Sequence, residues 1–295
     1  MRGQNQQVSI EGWNYVRTLG NSTPSAAGTA VLYNTLQGYR VVKHYHHGLP
    51  WEREARILQE LGNNLLTSQF VVTCYGVVPP DKQGSAAATL LQGKTGIVLE
   101  ALVKEEGWLP LTGFLKKPGV ALANALDRIS GFAEGLTNIH NAGYVQGDLN
   151  LSDVFSHEKR SVTKIIDFSH SFGRNESGTN FEEGMRLERG KSYWVLESVF
   201  AALKEGIVDY LASNIWREYY QNDPNHDPAR RPRGKISSLP DDVVAILEEI
   251  IYVPPSNYSV PGNLIAEVSE ASSRIRELIP QLNRRLDARA LPRIL

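Results

Sequence analysis

The sequence predicts an α+β fold in two lobes: a small antiparallel β-sheet carrying one helix over residues 1–103, then a larger, mainly helical part over residues 104–295. Three observations predict it. Runs rich in β-branched and aromatic residues, bounded by Gly, Asn or Pro, crowd the first third of the chain. A single stretch of helical periodicity breaks into them, and beyond Lys104 amphipathic helical patterns take over.

Taken in order, YVRTLG (15–20), TAVLYN (29–34) and GYRVVKHYH (38–46) read as strands. WEREARILQEL (51–61) then sets Trp51, Ala55, Leu58 and Leu61 at helical spacing, with charges on the other side. FVVTCYGVV (70–78) and TGIVLEALV (95–103) are two more strands, joined by a turn over 81–94. From Ala121 to Asn141 the residues Leu122, Leu126, Ile129, Phe132, Leu136 and Ile139 follow a helical period, so a buried amphipathic helix is expected. Short strands in GYVQGDL, DVFSHE and VTKIIDF follow it. Further helices are expected over 194–220, 239–252 and 263–290, with QNDPNHDPARRPRGK (221–235) as a Pro-rich basic loop.

Composition narrows the function classes. The 295 residues are 41% hydrophobic and 21% charged, which excludes wholesale disorder. With 31 basic residues against 32 acidic ones, bulk charge gives no attraction for nucleic acid or anionic membrane, and neither is expected as a partner. The one cysteine, Cys74, excludes an intrachain disulfide framework and fits a reducing compartment. MRGQNQQVSIEGW offers no apolar signal core, and no run reaches the roughly 18 apolar residues that a membrane span needs, so a cytoplasmic protein is expected.

The chemistry concentrates in HNAGYVQGDLNLSDVF and in KIIDFSHSF after it. Asp148, Asp153 and Asp167, delivered by neighbouring strand ends, would make a pocket of hard oxygens suited to Mg²⁺. A helix–strand–loop–strand carrying aspartates at this spacing resembles the catalytic core of the protein kinase superfamily, where the loop reads HRDxxxxN and the metal turn DFG. On that resemblance Asp148 matches the aspartate that accepts the substrate hydroxyl proton, Asp153 the metal-binding asparagine, and Asp167-Phe168-Ser169 the DFG turn. Companion motifs occur in order. VVK (41–43) resembles the third-strand V-A-I-K, with Lys43 as the phosphate-binding lysine and Glu54 as its helix partner. Leu19-Gly20 stands where the glycine loop should open, and GIVLEALV resembles the strand entering the adenine hinge. SYWVLESVF resembles Y-x-A-P-E-V with Glu197 as the glutamate, and Asp209 stands where the family has a buried helix-capping aspartate.

The resemblance implies an ATP- and Mg²⁺-dependent kinase that transfers the γ-phosphate to a hydroxyl. The nucleotide would contact Gly20, Val31, Val41 and Lys43, together with Leu99, Glu100 and Phe155, and the metal Asp153 and Asp167. An activation segment of about thirty residues, ending near Glu197, favours a protein Ser/Thr acceptor over a small molecule. The alternatives are a nucleotide-binding pseudokinase that acts as a scaffold or regulator, and a small-molecule kinase. Several positions depart from the family pattern. Gln146-Gly147 replaces His-Arg, so no arginine is placed to clasp a phosphorylated segment, and Asn150 replaces the γ-phosphate lysine. LGNSTPSAAG lacks the full glycine pattern, Ser169 replaces the DFG glycine, and Tyr258 stands where an arginine normally pairs with Glu197. GDL loops also occur in small-molecule kinases and fungal kinase-like proteins, the latter often with DFS.

Other signals carry less. ATLLQGKT (88–95) fits a loose phosphate-loop pattern but precedes a strand rather than a helix, so it reads as a turn. His44, His46 and His47 lack a further ligand and read as a solvent-facing strand end. Cys74 reads as a small buried hydrophobe. The bland alternative for Asp209 is an N-cap, and for Glu54 an exposed helix charge paired to Arg53 or Arg56.

Overall fold

The computed structural model describes residues 8, 10, 12–19, 29–45, 51–78, 95–117, 119–176, 180–220, 239, 241–250, 263–287 and 294. The described residues form a mixed α+β structure with a five-stranded antiparallel sheet and six α-helices. The chain divides into two compact units: unit 1 comprises Met1–Trp108, Gly135–Leu149 and Lys164–Glu188, and unit 2 comprises Leu109–Glu134, Asn150–Thr163 and Arg189–Leu295. All of residues 1–103 fall in unit 1, which also takes in two segments from beyond Lys104.

In unit 1, β1 (Asn14–Leu19), β2 (Thr29–Thr35), β3 (Gly38–His44), β4 (Cys74–Val78) and β5 (Gly96–Glu100) pair in the order β1-β2-β3-β5-β4. The β2–β3 hairpin closes through Leu36 and Gln37, with Gly38 at φ 97 and the Thr35 hydroxyl donating to the Gly38 carbonyl at 2.8 Å. Register fixes the two faces. Val41 lies opposite Leu32 and Leu99, and Lys43 opposite Ala30 and Ile97, so these residues share one face. Val31, Tyr33, Val42, Val78 and Val98 line the other face, closed by Ile10 with Val8 and Trp13.

The helix α1 (Trp51–Asn63) buries Glu54, Ala55, Ile57, Leu58 and Leu61 along one stripe and packs on β4 and β5. The strand expected over 70–78 is regular only from Cys74. Phe70 and Val72 instead bond the backbone of Ile165, at 2.7 and 3.3 Å, around an isolated bridge from Val71 to Ile165. Two short strands, Tyr144–Val145 and Phe172–Gly173, pair antiparallel in the same unit.

Unit 2 holds α2 (Leu111–Leu115), the first part of α3 (Leu122–Asn141), most of α4 (Phe181–Tyr220), α5 (Asp241–Glu248) and α6 (Leu264–Asp287). The apolar residues that predicted α3 are all buried. α6 buries Val268, Ile275, Leu278, Leu282 and Leu286 along one face and packs on α5.

α4 corrects the sequence reading. Its expected start was residue 194, after a long activation segment, whereas the helix begins at Phe181. The Asn180 side chain accepts the Glu183 N–H at 3.2 Å, Glu182 and Glu183 occupy the first turn, and Arg186 pairs with Glu183 at 2.6 Å. Those start signals are local, and they override the distant match of SYWVLESVF to a loop motif.

Within unit 2, a β-carbon added at Gly206 of α4 would stand 2.1 Å from the Leu115 carbonyl oxygen. Ala at this position should therefore destabilise the protein by about 1–3 kcal/mol through forced backbone displacement, in spite of its better helix propensity. Urea denaturation of Gly206→Ala checks this.

Candidate active site

Lys43 is the centre of the site. It leaves β3 on the face shared with Val41 and Leu99, and its Nζ donates to Glu54 Oε1 and Oε2 at 3.1 and 3.0 Å and to Asp167 Oδ1 at 2.7 Å. All three residues belong to unit 1. Glu54 is 1% exposed, so its expected alternative as a surface charge paired to Arg53 or Arg56 is excluded. Those arginines turn instead to Glu176, with Arg53 at 3.9 Å and Arg56 closer. Burial pulls the Lys43 ammonium towards the neutral form, but the Glu54 and Asp167 charges outweigh it and leave its pKa raised.

Asp167 adopts φ 59, the only positive value among the described non-glycine residues. That backbone is strained for an L-residue and needs surrounding contacts to hold it. Phe168 supplies one by complete burial, and Ser169 another, its hydroxyl donating to Asp167 Oδ1 at 2.7 Å. The Ser169 oxygen also lies 3.2 Å from His170 Nδ1. Burial pushes the Asp167 carboxyl up, yet the Lys43 ammonium and the Ser169 hydroxyl draw it below its ordinary value.

The loop bearing Asp148 is fixed from behind. Gln146 is wholly buried, and its amide nitrogen donates to the carbonyls of Ile166 and Asp167 at 3.1 and 2.6 Å, while its Oε1 accepts the Asp148 N–H at 2.9 Å. One side chain thus ties the Asp148 loop to the Asp167 turn. Gly147 sits at φ 95, and a β-carbon there would come within 2.2 Å of the His170 carbonyl oxygen, so no other residue fits. Glu188, on α4 and 2% exposed, accepts the N–H groups of Gln146 and Gly147 at 3.2 and 2.8 Å and meets His140 Nε2 at 2.6 Å. Asp148 itself faces solvent.

The remaining expected site residues divide. Val41 and Leu99 pair directly across β3 and β5 on the Lys43 face. Val31 does not join them: it lies opposite Val42 and points into the core on the other face, a consequence of the two-residue period of the strand. Ala30 and Leu32 occupy the Lys43 face in its place. The Glu100 carboxylate accepts the Thr73 N–H and hydroxyl at 3.3 and 3.1 Å and forms an ion pair with Lys164. Asp153 and Phe155 lie in unit 2, where the Asp153 carboxylate accepts the Asn150 N–H at 2.9 Å and the Ser152 hydroxyl at 3.3 Å. Gly20, most of ATLLQGKT, His46, His47 and Tyr258 lie outside the described residues.

Three secondary readings change. Asp209 stands half-buried in the interior of α4, so it is no N-cap, and the α4 carboxylate that bonds the Asp148 loop is Glu188. Glu197 is an exposed residue of the same helix. His44 is 2% exposed rather than solvent-facing, packed where a β-carbon on Gly96 would touch its ring. The Cys74 thiol is pushed up to about 11, chiefly by burial, which suits a packing residue and not a nucleophile.

Among the described residues no three His, Cys, Asp or Glu side chains gather as a metal cage. Mg²⁺ at a nucleotide site needs only one or two carboxylates, with phosphate and water oxygens completing its shell, and the half-exposed Asp167 carboxylate has the donor chemistry for that. No protein-family model and no curated protein matches the chain.

Sequence reasoning missed Tyr45, whose hydroxyl donates to Glu54 Oε2, and the roles of Gln146, His140 and Glu188. The available signal was local: Gln146 and Gly147 stand at adjacent positions where the resembled motif has His and Arg, which marks a loop held by different contacts.

Two expectations follow from these contacts. Glu188→Ala leaves two backbone N–H groups and His140 without their shared acceptor and should cost about 3 kcal/mol or more, at about 1–3 kcal/mol per unsatisfied buried group; guanidinium denaturation reads it. The lowered Asp167 pKa stabilises the folded state fully above the ordinary value of 3.8 and loses that contribution as pH falls through the folded-state value. The stability difference between wild type and Asp167→Asn should be flat from about pH 5 to 8 and shrink below about pH 4 in urea titrations across pH.

Proposed function

We propose that the chain is an ATP- and Mg²⁺-dependent phosphotransferase of the protein kinase superfamily type, cytoplasmic and with that family's bilobal fold. The observation that carries this reading is the Lys43 ammonium held between the Glu54 and Asp167 carboxylates on one face of the sheet. Phosphoryl transfer asks a protein mainly for positioning and charge neutralisation, and this grouping supplies both. Lys43 would hold the α- and β-phosphates, with Val41 and Leu99 flanking the base on the same sheet face. Asp167 would hold Mg²⁺, and the bound ion would neutralise charge developing on the phosphoryl oxygens. Asp148, solvent-facing on its fixed loop, would orient the acceptor hydroxyl and take its proton at the carboxylate.

Because Gln146 and Glu188 hold the loop through uncharged amides and a buried carboxylate, activity on this reading needs no phosphorylated segment. One observation favours a small-molecule acceptor over a protein one. The early start of α4 removes the extended segment on which the protein-acceptor expectation rested, and small-molecule kinases of related fold usually lack that segment.

The test is direct. ATP with Mg²⁺ should raise the melting temperature of the wild type, and Lys43→Met should abolish the rise. Labelled γ-phosphate should pass to hydroxyl-bearing metabolites in preference to generic protein substrates. Asp148→Asn should retain nucleotide stabilisation while transfer falls by about 10²–10⁴. Stabilisation without any transfer would identify a nucleotide-binding pseudokinase, and no stabilisation at all would reject the reading.

A further inference from the structure

Tyr45 follows Lys43 by two positions on the same chain edge, is 4% exposed, and touches both members of the ion pair. Its hydroxyl donates to Glu54 Oε2, the oxygen that also accepts from Lys43 at 3.0 Å. The face of its ring lies 5.5 Å from the Lys43 ammonium, within cation–π range. Burial keeps this phenol protonated, since it raises its pKa, with Glu54 adding to the effect. The protonated hydroxyl is thus available as a donor to Glu54.

We propose that Tyr45 is a positioning residue that shares Glu54 with Lys43 and so sets how readily the ammonium turns from that carboxylate to a nucleotide phosphate. Lys43 has three protons, and in the structure they are spread over Glu54 and Asp167. Turning towards a phosphate withdraws donation from Glu54, and a carboxylate that is 1% exposed cannot recover it from water. The Tyr45 hydroxyl keeps one Glu54 oxygen bonded throughout, so Lys43 can move without stripping a buried charge. The nucleotide in this statement rests on the phosphotransferase reading; the coupling of Tyr45 to Lys43 through Glu54 does not.

Tyr45→Phe deletes the hydroxyl and keeps the ring. Calorimetric titration with ATP and Mg²⁺ should show binding weakened about tenfold, the scale of one hydrogen bond to a charged group, with KM rising and kcat changing much less. In a Glu54→Ala background the same substitution should have no further effect on binding, because the shared carboxylate is gone. A merely structural tyrosine would lower the melting temperature in both backgrounds and leave the affinity alone. A second measurement needs no nucleotide: the rate at which an amine-acetylating reagent modifies Lys43, read by mass spectrometry of its peptide. Without the hydroxyl Lys43 is bound more tightly by Glu54, so its acetylation should slow in Tyr45→Phe. Unchanged or faster acetylation overturns the proposal whatever the protein does with ATP. If wild type binds no nucleotide while Lys43 acetylation slows in the variant, the phosphotransferase reading fails and the Tyr45–Glu54–Lys43 coupling stands.

Discussion

A single ammonium group placed between two carboxylates organises unit 1. Lys43 comes from β3, Glu54 from α1 and Asp167 from the turn after Ile166, so one charged atom joins a strand, a helix and a loop. Glu54 is too deeply buried to be tolerated alone, and breaking such a pair typically costs about 3–5 kcal/mol because one charge stays behind without compensation. α1 is therefore committed to the sheet by chemistry as well as by Ala55, Leu58 and Leu61. Further pins act on its exposed side, where Arg53 and Arg56 reach Glu176 and Glu60 meets the Tyr144 hydroxyl. Exposed pairs of this kind contribute little one by one, so the buried pair sets the geometry and the outer ones trim it.

The second anchor is Glu188. A buried carboxylate that accepts two consecutive backbone N–H groups and a histidine nitrogen holds a loop more firmly than side-chain packing could, since any displacement exposes all three donors at once. This accounts for Gln146-Gly147 in local terms. Glycine is the only residue that tolerates both φ 95 and the His170 carbonyl at contact distance, and glutamine has the donor–acceptor pair needed to bond Asp148 and the Asp167 turn together. The two residues belong to one local solution.

Much of unit 1 was legible in the chain. The hairpin around Gly38, the stripe of α1 and the trio Lys43, Glu54 and Asp167 are all short-range patterns or ordered motifs, and the structure brings the trio together. What was not legible has identifiable causes. Val31 was placed one residue off because strand parity depends on register with β3, which no local pattern reports. Glu188 carries no motif signal, because the carboxylate that bonds the Asp148 loop is chosen by burial beside the Gln146 backbone. The start of α4 is legible in Asn180 and the acidic residues after it, local capping chemistry that the resemblance of SYWVLESVF to a loop motif obscures. His44 was read as exposed because the space beside Gly96 cannot be seen from the sequence.

These contacts also bear on the choice between a switchable site and a fixed one. A switch needs an element with two arrangements of similar free energy. Here the Asp167 turn is held in a strained backbone by the burial of Phe168, by the Ser169 hydroxyl and by the Gln146 amide. Glycine at 169 would offer no hydroxyl to Asp167 and would leave the turn more conformations; serine removes both freedoms. At the other carboxylate the Tyr45 hydroxyl plays the corresponding part for Glu54. Each acid that flanks Lys43 thus has its own hydroxyl donor, so the ammonium can exchange a partner while Glu54, the buried acid, keeps a bond. On the proposed reading, selectivity then arises from what Lys43 and Asp148 meet, because the surrounding frame is already in its working arrangement.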